Sequence, residues 1–403
     1  MGGRFSGLTT RGRCLLAAGA ATAVSALVLD ERDLIRVGAF VALLPLLALL
    51  LAARIRRSVR AERRLGPERV PADAEVTVRL RIGGGPLVGA LRLADNAPDA
   101  AGPLPGAPPR FTVLRLPRSG ATLHYPLRPV QRGVHRIGPL AGRATDPLGL
   151  AEFERELAPA ATLTVLPRVV ALRGVPQALG AGEGTPGAAL AHQGQGSSDV
   201  LVRQYRQGDE LRRVHWRSTA RHDELMVRLE ERPWRTGTTV LLDRRADAHR
   251  GRGPDAGIEF AISLVASIGA HLAGRGDPIS VVAEDGTPIA EVVGDLDPLM
   301  DALAALRPAA RSELTGPPLT GDVLAVLGTL GPGQVEALTA RLPGGAHAVL
   351  LDAATWAPRQ ARSSSDVAAS GLRRAGWRVT VARAGTPPDR VWDDLVATAG
   401  VAS

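Results

Sequence analysis

The densest chemistry in this 403-residue sequence lies between Asp199 and Arg235. That segment carries nine Arg, seven acidic residues, two of the five Trp and one of the two Tyr. Arg beside carboxylate favours bidentate forks, and Arg beside Trp favours stacking. Gly208-Asp209 supplies a turn and a helix N-cap. Leu211, Val214, His215 and Ser218 then share one helical face, with Arg212 and Trp216 four apart. Leu225, Val227 and Leu229 alternate as in a strand. His215, His222 and Asp223 have the residue types for a metal site, but so small a ligand set ordinarily means exposed or packed histidines. Ser218 or Ser263 with His215 and Asp209 would make a hydrolase, yet no nucleophile-elbow sequence frames either serine. The chain has no Walker-type glycine motif, so any ATP chemistry belongs to a partner. The reading left is one polar and aromatic network of Arg206, Asp209, Arg212, Trp216 and Arg221. It either staples the segment onto its domain or presents a partner-binding surface, since Trp and Arg dominate binding hot spots.

Such a segment needs a scaffold, and the residues after it supply one. Thr238 to Asp243 reads as a buried strand, Ile258 to Ala273 as a helix and Ile279 to Ala283 as a strand. Leu296 to Leu306 has helical spacing. Val323 to Leu327, Ala348 to Leu351 and Val379 to Ala382 are further strands, separated by helices over 333–341, 365–375 and 390–398. Strands alternating with helices imply a Rossmann-like parallel sheet over 236–403, covered on both faces. Ligands of such sheets sit beyond the carboxyl ends of the strands, where Asp243 and Asp352 fall.

Upstream, residues 66–170 predict a β-rich, antiparallel sandwich-like domain. Val76, Val78, Leu80 and Ile82 alternate with polar residues, as in a half-buried strand. Ala90 to Leu93, Phe111 to Leu116, Thr122 to Leu127, Gly133 to Ile137 and Leu163 to Leu166 are further short strands. Asp146-Pro147-Leu148-Gly149-Leu150 is a structural turn by composition. Residues 171–198 are rich in Gly, Ser and Ala and predict a flexible linker.

The first 65 residues predict a transmembrane hairpin with basic flanks. Cys14 to Leu29 and Val37 to Ala53 carry no charge, and Asp30-Glu31-Arg32-Asp33 turns the chain between them. Arg4, Arg11 and Arg13 precede the first run. Arg54, Arg56, Arg57, Arg60, Arg63 and Arg64 follow the second. That charge pattern places the N-terminus and the soluble domains in the cytoplasm, under a two-helix cell-membrane anchor. A cleaved signal peptide and a soluble helical hairpin are the competing readings. The six-Arg cluster also suits anionic lipid headgroups.

Composition narrows the classes. All 49 basic residues are Arg, and they set a net charge of +9. Their mixing with 40 acids argues against a nucleic-acid binder. The single Cys14 excludes a disulfide framework.

Several stretches together carry a resemblance. The run Arg203-Gln-Tyr205, Gly208-Asp209, Arg212, His215-Trp216, Thr219-Ala220-Arg221, Leu225-Met226-Val227 resembles the signature of the domain-of-unknown-function 58 family. Arg132-Gly133-Val134-His135-Arg136-Ile137-Gly138-Pro139 and Thr145 to Leu150 resemble the family's preceding segment. The resemblance is specific over about 130 to 245 and marks 199–235 as a signature segment. Tyr205, Arg206, Gly208, Asp209, Arg212, His215, Trp216, Thr219 and Arg221 are its candidate interaction residues. It implies a membrane-anchored protein with a C-terminal von Willebrand A-like domain over 236–403. It also implies work beside a MoxR-type AAA+ ATPase and a transglutaminase-like membrane protein.

Von Willebrand A domains that bind Mg²⁺ open with Asp followed by Ser two and four residues on. Here the run is Asp243-Arg244-Arg245-Ala246-Asp247. Arg245 stands where a hydroxyl ligand belongs, which is hostile to a cation. Asp243 is therefore expected as a degenerate metal-motif position, salt-bridged to a nearby Arg. The expected function is a non-enzymatic adaptor or scaffold, with no cofactor and no catalytic residue. It would act in assembly or maturation of envelope or protein complexes. An envelope-linked hydrolase with a site in 199–235 is the alternative.

Overall fold

Thr9 caps the first helix, its side chain accepting the Gly12 amide hydrogen at 3.2 Å. Helix α1 runs over Thr10–Val28 and α2 over Arg32–Ser58. This is a computed structural model; it describes residues 7–84, 90–97, 109–114, 116–117, 119–176, 179, 202–204, 226–228, 237–310, 314, 316, 319, 321–342, 345–357 and 365–400. The turn between the helices is shorter than the four charged residues predict. Asp30 takes a left-handed conformation at φ 53°, and α2 has begun by Arg32. Asp33 pairs with Arg36 within its first turns at 2.7 Å.

Both helices are long and apolar enough to cross a membrane. They pack through their smallest residues. A Cβ added at Gly19 would lie 2.6 Å from the Ala42 nitrogen, and one at Gly38 2.7 Å from the Ala23 nitrogen. Glycine at those crossings lets the backbones touch. The large side chains turn outward instead, with Leu27, Phe40, Leu43 and Leu50 all more than half exposed.

Among the described residues, eleven strands make up the first unit with this hairpin: β1 Gly7–Leu8, β2 Arg60–Gly66, β3 Arg69–Pro71, β4 Val76–Gly83, β5 Ala90–Ala94, β6 Arg110–Val113, β7 Ala121–Leu127, β8 Gly133–Ile137, β9 Leu140–Thr145, β10 Ala151–Ala158 and β11 Ala161–Leu166. They form sheets ordered β1-β10-β9-β5-β6, β2-β4-β7 and β3-β11-β8. Pairing is antiparallel except between β3 and β11. Alternation on β4 works as expected: Val76, Val78, Leu80 and Ile82 are fully buried. Ala48, Ala52 and Ile55 of α2 join the same apolar core. Arg155 donates to the carbonyls of Arg56 and Val59, covering the orphan acceptors at the end of α2.

The basic flank after α2 is corrected by this arrangement. Arg60, Arg63 and Arg64 are strand residues of β2, so the hairpin ends at Ser58 and not at residue 65. Arg63 points inward and forms a buried ion pair with Asp95. The Tyr125 hydroxyl donates to the same carboxylate at 2.7 Å. Burial, then the Asp95 charge, raises the Tyr125 phenol above its ordinary range. Gly138 takes φ 108°, a conformation side chains rarely adopt, and packs directly against the Arg63 guanidinium. Strands β9 and β10 also escape sequence reading, since Arg143, Glu152, Glu154 and Glu156 dilute their apolar pattern.

The second unit is built on a six-stranded sheet. Its elements are β14 Thr238–Leu242, α3 Gly257–Ala273, β15 Ile279–Ala283, β16 Pro288–Val292, α4 Asp297–Ala305, β17 Asp322–Leu327, α5 Pro332–Arg341, β18 His347–Leu351, α6 Ala353–Trp356, α7 Ser365–Arg374, β19 Arg378–Ala382 and α8 Pro388–Gly400. A separate antiparallel pair, β12 Val202–Gln204 and β13 Met226–Arg228, precedes them. The large sheet is ordered β16-β15-β14-β17-β18-β19, parallel throughout except for β16. Every residue of β14 is buried, as continuous apolar strands between two helix layers must be. Strand β16 goes unread because Pro288 opens it and it lies on an edge.

The start of the predicted linker is not a linker. Leu172, Pro176 and Leu179 are buried in the second unit. The Trp392 indole donates to the Arg173 carbonyl at 3.0 Å, and the His271 ring contacts the Gly174 carbonyl at 2.8 Å. Residues 180–198 lie outside the described residues.

Strand β18 opens on the buried His347, whose pKa falls to about 4, from burial first and then the Arg378 charge. The unfolded chain therefore takes up this proton near pH 6.5 while the native ring stays neutral. Stability present above pH 6.5 should drop as pH falls toward 4, by roughly 3 kcal/mol from this residue. Urea titrations of the full chain at pH 7 and pH 4.5 should show that loss. His347→Gln should reduce that loss by roughly the same amount, leaving the share of other buried groups such as His249.

Candidate functional site

The strand order places a crevice between β14 and β17, where chain direction around the sheet reverses. That switch point, at the carboxyl ends of the strands, is where such sheets bind ligands. Asp243 follows β14 directly and Gly328 follows β17. The crevice is already occupied by the protein's own side chains.

Asp243 is fully buried and its carboxylate is saturated. Oδ1 accepts from the Arg245 amide at 3.1 Å and from Arg245 Nε at 2.8 Å. Oδ2 accepts from Arg245 Nη2 at 2.8 Å and from the Gly328 amide at 3.1 Å. Arg245 is 1 % exposed and also donates to the Thr329 carbonyl at 3.1 Å. Burial opposes the Arg245 charge, but the paired carboxylate outweighs it and holds the guanidinium pKa above its ordinary value. A charge pair this buried is viable only with such complete hydrogen bonding.

Backbone contacts close the loops around the pair. The Thr329 amide donates to the Ala248 carbonyl at 2.8 Å. A Cβ at Gly328 would sit 2.4 Å from that same oxygen, so only glycine fits the crossing. On the other side, Ala246 donates to Ala309 at 2.8 Å and Ala309 to Arg244 at 2.7 Å. His249 donates its Nε2 hydrogen to the Asp243 carbonyl at 2.6 Å. Its burial lowers the imidazole pKa and keeps the ring neutral beside Arg245.

Arg244 extends the charge network outward. Its side chain reaches Glu284 at 3.3 Å and Asp285 at 3.1 Å, both just past the end of β15. Sequence reading missed Arg244, Glu284, Asp285 and His249. The available signal was an acidic pair directly after the strand neighbouring β14. Asp352, after β18, donates its amide hydrogen to the Ala382 carbonyl at 2.8 Å.

The donors present do not fit a divalent cation. Mg²⁺ wants oxygen ligands in octahedral array, and Arg245 puts a positive charge in that place. Among the described residues no group of three or more His, Cys, Asp or Glu could hold a metal. Ser263 lies inside α3, within hydrogen-bonding reach of Ser267 through its carbonyl at 2.7 Å. The candidate interaction residues Tyr205, Arg206, Gly208, Asp209, Arg212, His215, Trp216, Thr219 and Arg221 lie outside the described residues, as do Ser218, His222 and Asp223. The backbone on both sides of them is paired, with Arg203 opposite Val227.

Removing one partner of the buried pair should be costly. Arg245→Ala should lower unfolding free energy by about 3–5 kcal/mol, because Asp243 is left charged and buried. Asp243→Asn combined with Arg245→Met should recover most of that loss, read by denaturant titration of the full chain. Calorimetric titration of the unaltered protein with Mg²⁺ or Mn²⁺ should be flat. Micromolar binding that vanishes in Asp243→Ala would contradict the assignment of Arg245 to the cation position.

Comparison with known proteins bears on this region. No curated protein matches the chain. A solved structure, the CARDB domain of the PF1109 protein from Pyrococcus furiosus in complex with di-metal ions, matches at 20% identity. It covers 27% of this chain and 91% of that one, with a TM-score of 0.18, too slight a likeness to transfer fold or metal. Residues 201–318, which run from β12 through the Asp243–Arg245 pair to the stretch before β17, match the family model "Protein of unknown function DUF58".

Proposed function

We propose that this protein is a membrane-anchored, cytoplasm-facing adaptor whose α/β unit serves as a fixed protein-binding platform. The observation that carries this reading is Arg245 in the switch-point crevice. A site that elsewhere takes a ligand is here filled from within, so its surface keeps one shape whatever ions are present. The strand order, its single antiparallel member and the Asp after the first strand support a von Willebrand A-like domain. The exposed apolar flanks of α1 and α2 support the membrane anchor.

Charge supports the orientation. Arg11 and Arg13 at the start of α1, and Arg54, Arg56 and Arg57 at the end of α2, lie at one end of the hairpin and are exposed. By the positive-inside rule that end faces the cytoplasm. The family resemblance supports a MoxR-type AAA+ ATPase as partner, beside a transglutaminase-like membrane protein. The Arg- and Trp-rich signature segment is the surface proposed to meet the ATPase, since such residues dominate binding energy. The process served would be assembly or maturation of envelope or protein complexes.

Reporter fusions at residues 31 and 70 should report opposite sides of the membrane, with residue 70 inside. Full-length protein in native membranes should crosslink to a MoxR-type ATPase. Arg212→Glu should abolish that capture while leaving the melting temperature nearly unchanged. Turnover of an ester or amide substrate, lost on changing His215 or Ser218, would sink the adaptor reading.

A further inference from the structure

The membrane boundary can be located on the anchor by length. The uncharged run Cys14 to Leu29 would span only about 24 Å as a helix. All of α1, at 19 residues, spans about 28 Å, close to the roughly 30 Å hydrocarbon core. The boundary therefore falls in the first turn of α1, with Arg11 and Arg13 reaching outward along their aliphatic stems.

That first turn is bolted to one loop of the β unit. The Thr9 hydroxyl donates to the Gly149 carbonyl at 2.7 Å, and its amide to the Leu150 carbonyl at 2.9 Å. Gly12 rests on the Leu150 carbonyl so closely that a Cβ would sit 2.1 Å from it. The Asp146–Leu150 turn is thus held at the level of the boundary. Asp146 is buried and fixes the turn, accepting the Leu148 amide hydrogen at 2.8 Å. Gly149 takes φ 70° to complete it. The tip itself is apolar and bare, with Leu148 61 % exposed beside exposed Pro147.

Charge surrounds the same level. The antiparallel register set by Gly19 against Ala42 and Gly38 against Ala23 carries Arg54, Arg56 and Arg57 just past the start of α1, on the β-unit side. Among the described residues, none of Arg11, Arg13, Arg54, Arg56 and Arg57 forms an ion pair. A rigid apolar tip at the boundary and uncompensated arginines at headgroup depth match one surface, an anionic phospholipid bilayer.

We propose that the base of the β unit binds the membrane surface. Pro147 and Leu148 enter the headgroup–acyl boundary, and Arg54, Arg56 and Arg57 hold lipid phosphates. This rests on the membrane-anchor reading above and adds a second, peripheral contact to it. The Asp146 turn then has a purpose beyond reversing the chain. It presents Leu148 to lipid at a fixed depth.

The test uses the full chain with Cys14→Ser, so that a single cysteine carries an environment-sensitive fluorophore. Leu148→Cys is the probe site and exposed Glu68→Cys, past the end of β2 farthest from α2, the water reference. Each is reconstituted into phosphatidylcholine liposomes, with or without phosphatidylglycerol. The label at 148 should be blue-shifted and quenched by lipid-borne bromine, while the label at 68 should not. Phosphatidylglycerol should deepen the quenching at 148. Each Arg→Gln change at 54, 56 or 57 should weaken the preference for anionic lipid roughly fivefold. A chain that floats with liposomes but reports water at 148 overturns the proposal and leaves the anchor standing. A chain that does not float overturns both. Loss of the phosphatidylglycerol effect on adding millimolar inorganic phosphate would reassign the arginines to a free anion and overturn the lipid contact.

Discussion

The buried pair of Asp243 and Arg245 is the constraint on which the α/β unit turns. Four hydrogen bonds meet on one carboxylate, from the side chain and amide of Arg245 and from the Gly328 amide. They tie the loop after β14 to the loop after β17 across the sheet's switch point. An isolated carboxylate there would cost several kcal/mol, and so would an isolated guanidinium. Each group is tolerable only because the other is present. The arrangement holds the strand ends together as a cation would, with the charge supplied covalently and permanently.

The first unit solves its own polar problem in a similar way. Arg63 enters the β core from a strand whose Arg60, Glu62 and Arg64 are exposed, and Asp95 with Tyr125 receives it. Gly138 leaves room for that side chain, which accounts for one glycine in the stretch from Arg132 to Pro139. Both units thus place an Arg–Asp pair where an all-apolar core would also have closed. Replacing such a pair by apolar residues is often neutral for stability, whereas removing one partner alone is costly.

Legibility followed how strongly burial acted on each segment. Strand β14 is buried on both faces, so Thr-Thr-Val-Leu-Leu could hardly be anything else. Helices α3, α5, α7 and α8 kept their spacing and were readable to within a few residues. Strand β10 has one exposed face, and its glutamates masked Phe153 and Leu157. Strand β2 was harder, because an arginine run after a membrane helix already has a sufficient explanation in topology. The Asp243 pair was readable in part: the resemblance pointed to Asp243 and electrostatics called for a nearby Arg, but only the fold shows that Arg245 itself supplies it. Its outer half was not, because Glu284 and Asp285 meet Arg244 only through strand pairing some 40 residues away.

One joint in the first unit carries a mechanical meaning. Helix α2 ends at Ser58 and β2 begins at Arg60, so a single residue, Val59, separates anchor from sheet. Val59 is itself 1 % exposed, and Arg155 grips the carbonyls on both sides of the joint. A tether of Gly and Ser lets a domain wander; this joint does not. Each residue of an α-helix advances its azimuth by about 100°. The face that the β unit turns relative to α1 is therefore set by the count of residues in α2, much as the length of a screw's thread sets where its head comes to rest.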